Sequence, residues 1–226
     1  ITPIQFCEKY CQYVDEGYTD VIHVPINRSG SSTYNNAVMA QGMLREERPE
    51  HHLNIHLLDP HTYSMVFGWY LCEMARKLQN GAELRHVISE FETQMNKMEV
   101  ILGPYSLKQM KKSGRISAAA AVMGELMGIR PIITLIDGKT RVESKVRGDD
   151  KVIPAMIDLC KKRTEGVEDF DYMIGHTSIP QAAELEKACR KAFGKAPLST
   201  FNLGGVVSAN TGPDTLALVY VGKPRD

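Results

Sequence analysis

The sequence lacks a long apolar run, a charge surplus and the short motifs of common catalytic and nucleotide-binding sites. No apolar stretch in the 226 residues approaches about 18 residues, the length that a membrane-spanning helix needs. The formal net charge is zero, which argues against general nucleic-acid binding. Walker-type Gly-x-x-x-x-Gly-Lys-Ser/Thr, zinc-protease His-Glu-x-x-His and hydrolase Gly-x-Ser-x-Gly segments are all missing. We therefore expect no stable membrane insertion, no nucleic-acid partner, no cofactor and no catalytic residue.

Cysteine is scarce, and its pattern is not that of a disulfide framework. The five cysteines are odd in number and scattered, which predicts reduced thiols in a cytoplasmic protein: Cys7, Cys11, Cys72, Cys160 and Cys189. Cys7 and Cys11 lie four residues apart and could share one helix face, and in principle a metal ion. No matching pair of Cys or His follows them, so no metal site is expected.

What is present is typical of a folded α/β protein, with 43% apolar and 24% charged residues. The first half alternates apolar runs with helical periodicity, which predicts a doubly wound, mostly parallel sheet. Its predicted strands are 20–26 and 53–58, and its predicted helices begin at Thr2-Pro3-Ile4-Gln5 and span 62–78 and 82–96. We assign residues 1–97 to this domain.

The second half, residues 98–226, is predicted to be a second α/β domain with a largely antiparallel sheet. Asp137-Gly138 is a strong hairpin signal between the predicted strands 131–136 and 140–146. Helices are expected at 150–163 and 181–193, and the predicted strands of this half also include 99–103, 172–175, 198–202 and 216–221.

A turn rich in hydroxyl groups separates the strand 20–26 from the helix that follows it. Ser31, Ser32 and Thr33 would place hydroxyl donors beside the unpaired N–H groups at the positive end of that helix. This arrangement is typical of an anion site in an α/β protein. The alternative is that Ser31 or Ser32 only caps the helix.

Five segments, in order along nearly the whole chain, resemble motifs of the DegV family of bacterial fatty-acid-binding proteins. They correspond to the family's SS-x-LSGTYQSA, LKKGGRIS, L-x-IKPIL, KVRG and HTGPG motifs: INRSGSSTYNNAVMAQ (26–41), KKSGRIS (111–117), GIRPII (128–133), KVRG (145–148) and NTGPD (210–214). Any one match is weak, whereas five in order are a specific signal.

The resemblance implies that a long-chain fatty acid lies between two domains. Ser31 takes the position of the family's carboxylate-binding Ser, Ser32 replaces its Gly, and Thr33 matches its Thr. Asn210, followed by Thr211, stands where the family has a carboxylate-binding His. Arg28 replaces a Ser of the motif, so it either restores a positive charge for the carboxylate or points to solvent.

The resemblance also implies a tunnel for the acyl chain and a protein partner. The small residues of a predicted helix, 117–127, leave room for the tail, and the tunnel residues are Ile116, Ala119, Ala120, Met123 and Met127. Arg115 matches the Arg with which the family docks a fatty acid kinase subunit, which phosphorylates the bound carboxylate. The family's N-terminal portion, about eighty residues with a Thr-Ser-Gln-Pro motif, is expected to precede Ile1, so the chain looks like a fragment.

Two other functions are compatible with the residues alone. One is an enzyme that acts between the domains on a phosphorylated small molecule, with the hydroxyl turn holding the phosphate; His176, after a strand, is the candidate partner for a reactive serine. The other is a module that binds only proteins. Because the family motifs favour a carrier, we expect a binding protein whose ligand is phosphorylated by a partner enzyme.

Overall fold

The computed structural model describes residues 1–114 and 128–224. The chain divides into two compact units, Ile1–Tyr63 and Ser64–Asp226. The boundary predicted near Lys97 falls inside the second unit, and the assignment of domains 1–97 and 98–226 stays a prediction. Within the described residues, no helix is both long enough and apolar enough to span a membrane.

The first unit alternates helices and strands: α1 (Pro3–Asp15), β1 (Asp20–His23), α2 (Thr33–Glu47) and β2 (Asn54–Leu57). Helix α1 begins after Thr2, whose hydroxyl accepts a hydrogen bond from the Gln5 N–H, while the Gln5 side chain accepts one from the Thr2 N–H at 2.9 Å. This capping box and Pro3 at the first helical position confirm the predicted helix start.

Strands β1 and β2 pair in parallel, with Asp20 opposite Asn54 and His23 opposite Leu57. Strand β1 ends at His23 and not at the predicted Ile26, because Pro25 has no N–H with which to continue the ladder. Both strands end at the same edge of the sheet, which is where α/β folds bind their ligands. The parallel pairing confirms the fold class predicted for this part of the chain.

A shared apolar core joins α1 and α2. The buried members of this core come from one face of each helix and from the residue just before β2: Phe6, Cys7, Tyr10, Cys11, Ala37, Ala40, Leu44 and Leu53. The spacing of three and four residues within each helix is the amphipathic pattern that the sequence shows. This core fixes α2, and therefore the turn before it, relative to α1.

The second unit begins with two helices and continues as a mixed α/β fold. Its described elements are α3 (Met65–Gln79), α4 (Leu84–Met95), β3 (Met98–Pro104), α5 (Lys108–Ser113), β4 (Ile129–Ile136), β5 (Lys139–Arg147), a 3₁₀ turn (Asp149–Lys151), α6 (Val152–Arg163), β6 (Tyr172–His176), α7 (Gln181–Phe193), β7 (Thr200–Asn202), α8 (Gly204–Thr211) and β8 (Thr215–Val221). The predicted helix 117–127 lies outside the described residues.

The sheet of the second unit has six strands in the order β5-β4-β3-β8-β6-β7. Every neighbouring pair is antiparallel except β6 with β7. Asp137 and Gly138 join β4 to β5 with φ angles of 52° and 73°, the left-handed conformation of a tight hairpin turn. The predicted hairpin and the largely antiparallel sheet are both confirmed.

Helix α8 is the element that sequence reasoning missed. It begins with Gly204, whose φ of 79° is left-handed, and Gly205, and glycine has a low helix propensity. The helix nevertheless forms between β7 and β8, two strands of one sheet. The helix carries Asn210 and Thr211, two of the predicted site residues, at its C-terminal end.

A half-buried histidine at the end of β1 makes the first unit sensitive to pH. His23 Nδ1 lies 2.6 Å from the Tyr10 hydroxyl, and burial lowers the pKa of His23 below its ordinary value of about 6.5. Below about pH 6.5 the unfolded chain therefore binds more protons than the folded chain, and stability must fall as the pH falls.

We predict that His23→Gln removes part of the loss of stability between about pH 7 and pH 5.5. The measurement is thermal unfolding followed by circular dichroism across this range. His52→Gln, at an exposed histidine of the same unit, is the control and should leave the pH profile of the wild type. Identical profiles for His23→Gln and the wild type would contradict the interpretation.

Candidate functional site

The segment 27–33, here called the hydroxyl turn, connects β1 to α2 and is organised by a buried asparagine. Asn27 is fully buried, and its Oδ1 accepts hydrogen bonds from the backbone N–H and the hydroxyl of Ser29, both at 3.0 Å. Its Nδ2 donates to the Tyr63 hydroxyl at 3.1 Å, and its backbone N–H donates to the Thr62 carbonyl at 3.1 Å. Asn27 thus fixes the turn to the loop that follows β2.

Gly30 is required because the Tyr63 ring passes directly over the turn. A Cβ atom at position 30 would lie 1.8 Å from the Tyr63 hydroxyl oxygen, far inside van der Waals contact. Any side chain there would displace Tyr63 and break its hydrogen bond with Asn27. The glycine of the turn therefore serves close packing.

The hydroxyls of Ser31 and Thr33 form a pair at the start of α2. Their oxygen atoms are 2.6 Å apart, and the Thr33 N–H donates to Ser31 Oγ at 3.2 Å. Ser32 occupies the N-cap position, is exposed, and makes no capping hydrogen bond through its side chain. Ser31 Oγ thus accepts from the N–H of the first residue of α2, and its hydroxyl stays next to that of Thr33.

A carboxylate at the same edge was not predicted as a site residue. The Asp59 side chain is 8% exposed, and its Oδ1 accepts from the backbone N–H groups of Arg28 at 3.4 Å and His61 at 2.9 Å. Its Oδ2 lies 3.8 Å from Arg28 Nε and 3.7 Å from His61 Nδ1. The available signal was its position, since Asp59 follows the second predicted strand just as the hydroxyl turn follows the first.

Arg28 is oriented by groups of the same unit. Its side chain is 63% exposed, its Nε faces Asp59, and its guanidinium lies 5.7 Å from the centre of the Tyr34 ring. The sequence left open whether Arg28 meets the ligand carboxylate or solvent. The structure adds a third role, because Arg28 compensates part of the negative charge of Asp59.

The loop after β2 also holds two buried oxygens without hydrogen-bond partners among the described residues. These are Asp59 Oδ2, which has only the longer charge contacts, and Thr62 Oγ1. A buried polar atom that remains unpaired costs about 1–3 kcal/mol. Thr62 is a further candidate site residue, and its position beside Asn27 is visible only in three dimensions.

The site residues predicted in the second unit are already engaged within their own helix end. Asn210 Nδ2 donates to the Val206 carbonyl at 2.8 Å. Thr211 is buried, and its hydroxyl donates to the Gly212 carbonyl at 3.3 Å. His176 Nδ1 accepts from the Ser178 N–H at 2.9 Å, which gives this histidine a structural role in its turn.

The remaining predicted residues lie outside the part of the chain that the structure describes. They are the partner-docking Arg115 and the tunnel residues Ile116, Ala119, Ala120, Met123 and Met127. Their assignments stay predictions.

Known proteins were compared with the chain by sequence and by structure. The model described as "Uncharacterised protein, DegV family" matches residues 1–223. A DegV domain-containing protein of Staphylococcus aureus is 30% identical over 227 residues, covering 97% of this chain and 75% of the relative. One from Clostridium perfringens is 28% identical over 226 residues, covering 98% and 76%.

Solved structures give the same result for the fold. A stearic-acid-binding protein of Eubacterium ventriosum superposes with a TM-score of 0.86 at 21% identity, covering 98% of this chain and 76% of that one. A fatty-acid-binding DegV protein of Streptococcus agalactiae has a TM-score of 0.83 at 25% identity, covering 98% and 77%. The family match over almost the whole chain and the curated relatives agree with the five motifs, and the chain belongs to the DegV family.

Proposed function

We propose that this protein is a carrier that binds a long-chain fatty acid and holds its carboxylate at the hydroxyl turn. The observation that carries the proposal is the hydroxyl pair of Ser31 and Thr33 at the N-terminus of α2. The hydroxyls and the first N–H groups of the helix are donors that suit an anion. Relatives of the chain support the class of ligand, since the S. agalactiae protein is a fatty-acid-binding member of the family.

The charges around the turn favour a carboxylate over a phosphate. Arg28 faces the buried Asp59 carboxylate, so its charge is partly compensated before any ligand arrives. A phosphate would bring a second negative charge, and Arg28 has little positive charge left to offset it. Because like charges in a partly buried site repel, that second charge would be repelled by Asp59. This argument favours the carrier over the alternative, an enzyme that acts on a phosphorylated small molecule.

The acyl tail supplies most of the binding free energy in this proposal. Each buried CH₂ contributes about 0.8 kcal/mol, so a long acyl chain contributes on the order of 10 kcal/mol before the cost of association. A neutral hydrogen bond to the head group contributes only about 1 kcal/mol. Replacement of the family's His by Asn210 is therefore compatible with lipid binding.

We further propose that a fatty acid kinase subunit is the partner, that this kinase phosphorylates the carboxylate, and that both act in the cytoplasm. Arg115 matches the family's docking residue, and it lies in a basic segment: residues 108–151 contain ten Lys/Arg and five Asp/Glu. All five cysteines are free thiols, as expected in a reducing compartment. The protein itself would carry out no chemistry.

We predict that the chain purified from bacteria retains a fatty acid in roughly stoichiometric amount. Denaturing extraction followed by mass spectrometry measures the lipid and its chain length. A thermal shift assay should show stabilisation of the delipidated protein by palmitate and none by a sugar phosphate. The reverse response would support the enzyme, and repeated absence of lipid together with no response to either compound would support a module that binds only proteins.

We predict that Ser31→Ala and Thr33→Val each weaken palmitate binding by about fivefold, since each removes one neutral hydrogen bond worth about 1 kcal/mol. Thr33→Ser keeps the hydroxyl and is the matched control, which should bind as the wild type does. Titration of delipidated protein measures the affinities. If Thr33→Val binds as tightly as Thr33→Ser, this hydroxyl does not hold the head group.

We predict that Arg115→Ala loses kinase-dependent phosphorylation of the bound lipid but keeps its lipid content and its melting temperature. The physical reason is that Arg115 is assigned to the partner and not to the ligand. Lys112→Ala, at an exposed basic residue nearby, is the control for a change of surface charge. Loss of lipid from Arg115→Ala would indicate that this residue belongs to the binding pocket and would refute the docking role.

A further inference from the structure

A cluster of two thiols and a carboxylate lies in the first unit. Cys7 and Cys11 occupy consecutive turns of α1 and share one face of that helix. Glu47 is the last residue of α2, which packs on α1. One ligand atom from each of the three side chains lies within 4.8 Å of the other two. The third residue is 36 positions beyond Cys11, so the spacing in sequence gave no sign of it.

We propose that Cys7, Cys11 and Glu47 form a binding site for one thiophilic divalent cation of the Zn²⁺ class. Tetrahedral zinc with Zn–S near 2.3 Å and Zn–O near 2.0 Å places sulfur and oxygen ligands about 3.5 Å apart and two sulfurs about 3.8 Å apart. Cys11 Sγ and Glu47 Oε2 are 3.6 Å apart. Three protein ligands leave the fourth tetrahedral position to water.

The surroundings suit a cation that arrives from the surface. Cys7 and Cys11 are 2% and 8% exposed, and they are members of the apolar core. Glu47 is exposed at the rim, so it is the ligand that a cation meets first. Among the described residues, Arg48 is the neighbour of Glu47 along the chain, and it is paired with Asp15 at 3.8 Å. Two thiolates and one carboxylate carry three negative charges, so the site with a bound dication would have one net negative charge.

Binding must displace the protons of both thiols. Burial, followed by the charges of Cys11 and Glu47, raises the pKa of the Cys7 thiol to about 12. Each thiol therefore gives its proton to the buffer as its sulfur bonds to the metal, and no oxidant or reductant is involved. The protons are the only groups that leave the two thiols when the metal binds.

The test is a titration of the reduced, metal-free 226-residue chain with Cd²⁺, which forms an ultraviolet sulfur-to-metal charge-transfer band. We expect one Cd²⁺ per chain, a band intensity that corresponds to two thiolates, and displacement of Cd²⁺ by Zn²⁺. Absence of the band, or failure of Zn²⁺ to compete, would overturn the proposal.

Variants of the proposed ligands and of neighbouring residues test where the cation binds. Glu47→Gln should weaken Cd²⁺ binding by about tenfold or more, while Glu46→Gln, at the neighbouring exposed carboxylate, should leave it unchanged. Cys11→Ala should lose the two-thiolate band, whereas Cys72→Ala and Cys160→Ala should keep it. Because Glu47 lies at the surface, its variant remains informative even where a cysteine variant folds poorly. Equal affinities for Glu47→Gln and Glu46→Gln would refute the three-ligand site.

Discussion

The candidate site depends on the hydrogen bonds and charge contacts of the buried Asp59 carboxylate. This carboxylate accepts hydrogen bonds from the backbone after β1 and from the backbone after β2, and so joins the two loops at the carboxyl-terminal edge of the first sheet. A buried charge is costly unless it is hydrogen-bonded and paired. The Arg28 guanidinium supplies a charge that pairs with it at 3.8 Å, and the His61 ring lies 3.7 Å away. Asn27 strengthens the same connection through Thr62 and Tyr63, which holds the hydroxyl turn in one conformation.

The pairing of Arg28 with Asp59 limits the groups that the hydroxyl turn can offer to a ligand. Because Arg28 compensates Asp59, the turn offers a ligand mainly neutral donors, namely hydroxyls and N–H groups, together with a shared cation. Neutral hydrogen bonds orient a head group but contribute only about 1 kcal/mol each to affinity. The proposed carrier must therefore gain its affinity from the apolar tail and its orientation from the turn. Such a division is suited to a protein that presents a carboxylate to a partner, since the head group is positioned without being strongly held.

Local signals were sufficient for much of the fold and for part of the site. The capping box at Thr2 and the Asp137-Gly138 hairpin depend on residues a few positions apart, and the structure confirms them. The hydroxyl turn lies between a strand and a helix as predicted, while its role as an anion site stays a prediction. Asp59 and Glu47 were missed as site residues because their partners lie more than thirty positions away. Helix α8 was missed because it is short and begins with two glycines, which have a low helix propensity.

The position where this chain departs from the family's motif carries a neutral amide in place of a titratable ring. Asn210 carries no titratable proton, and its amide already donates to the Val206 carbonyl of its own helix. Position 210 can therefore offer a carboxylate only a neutral hydrogen bond, and only by giving up the contact with Val206, whereas the first unit presents the Arg28 guanidinium beside Asp59. Any charge-assisted recognition of the proposed carboxylate thus depends on Arg28 and on how far Asp59 already compensates its charge.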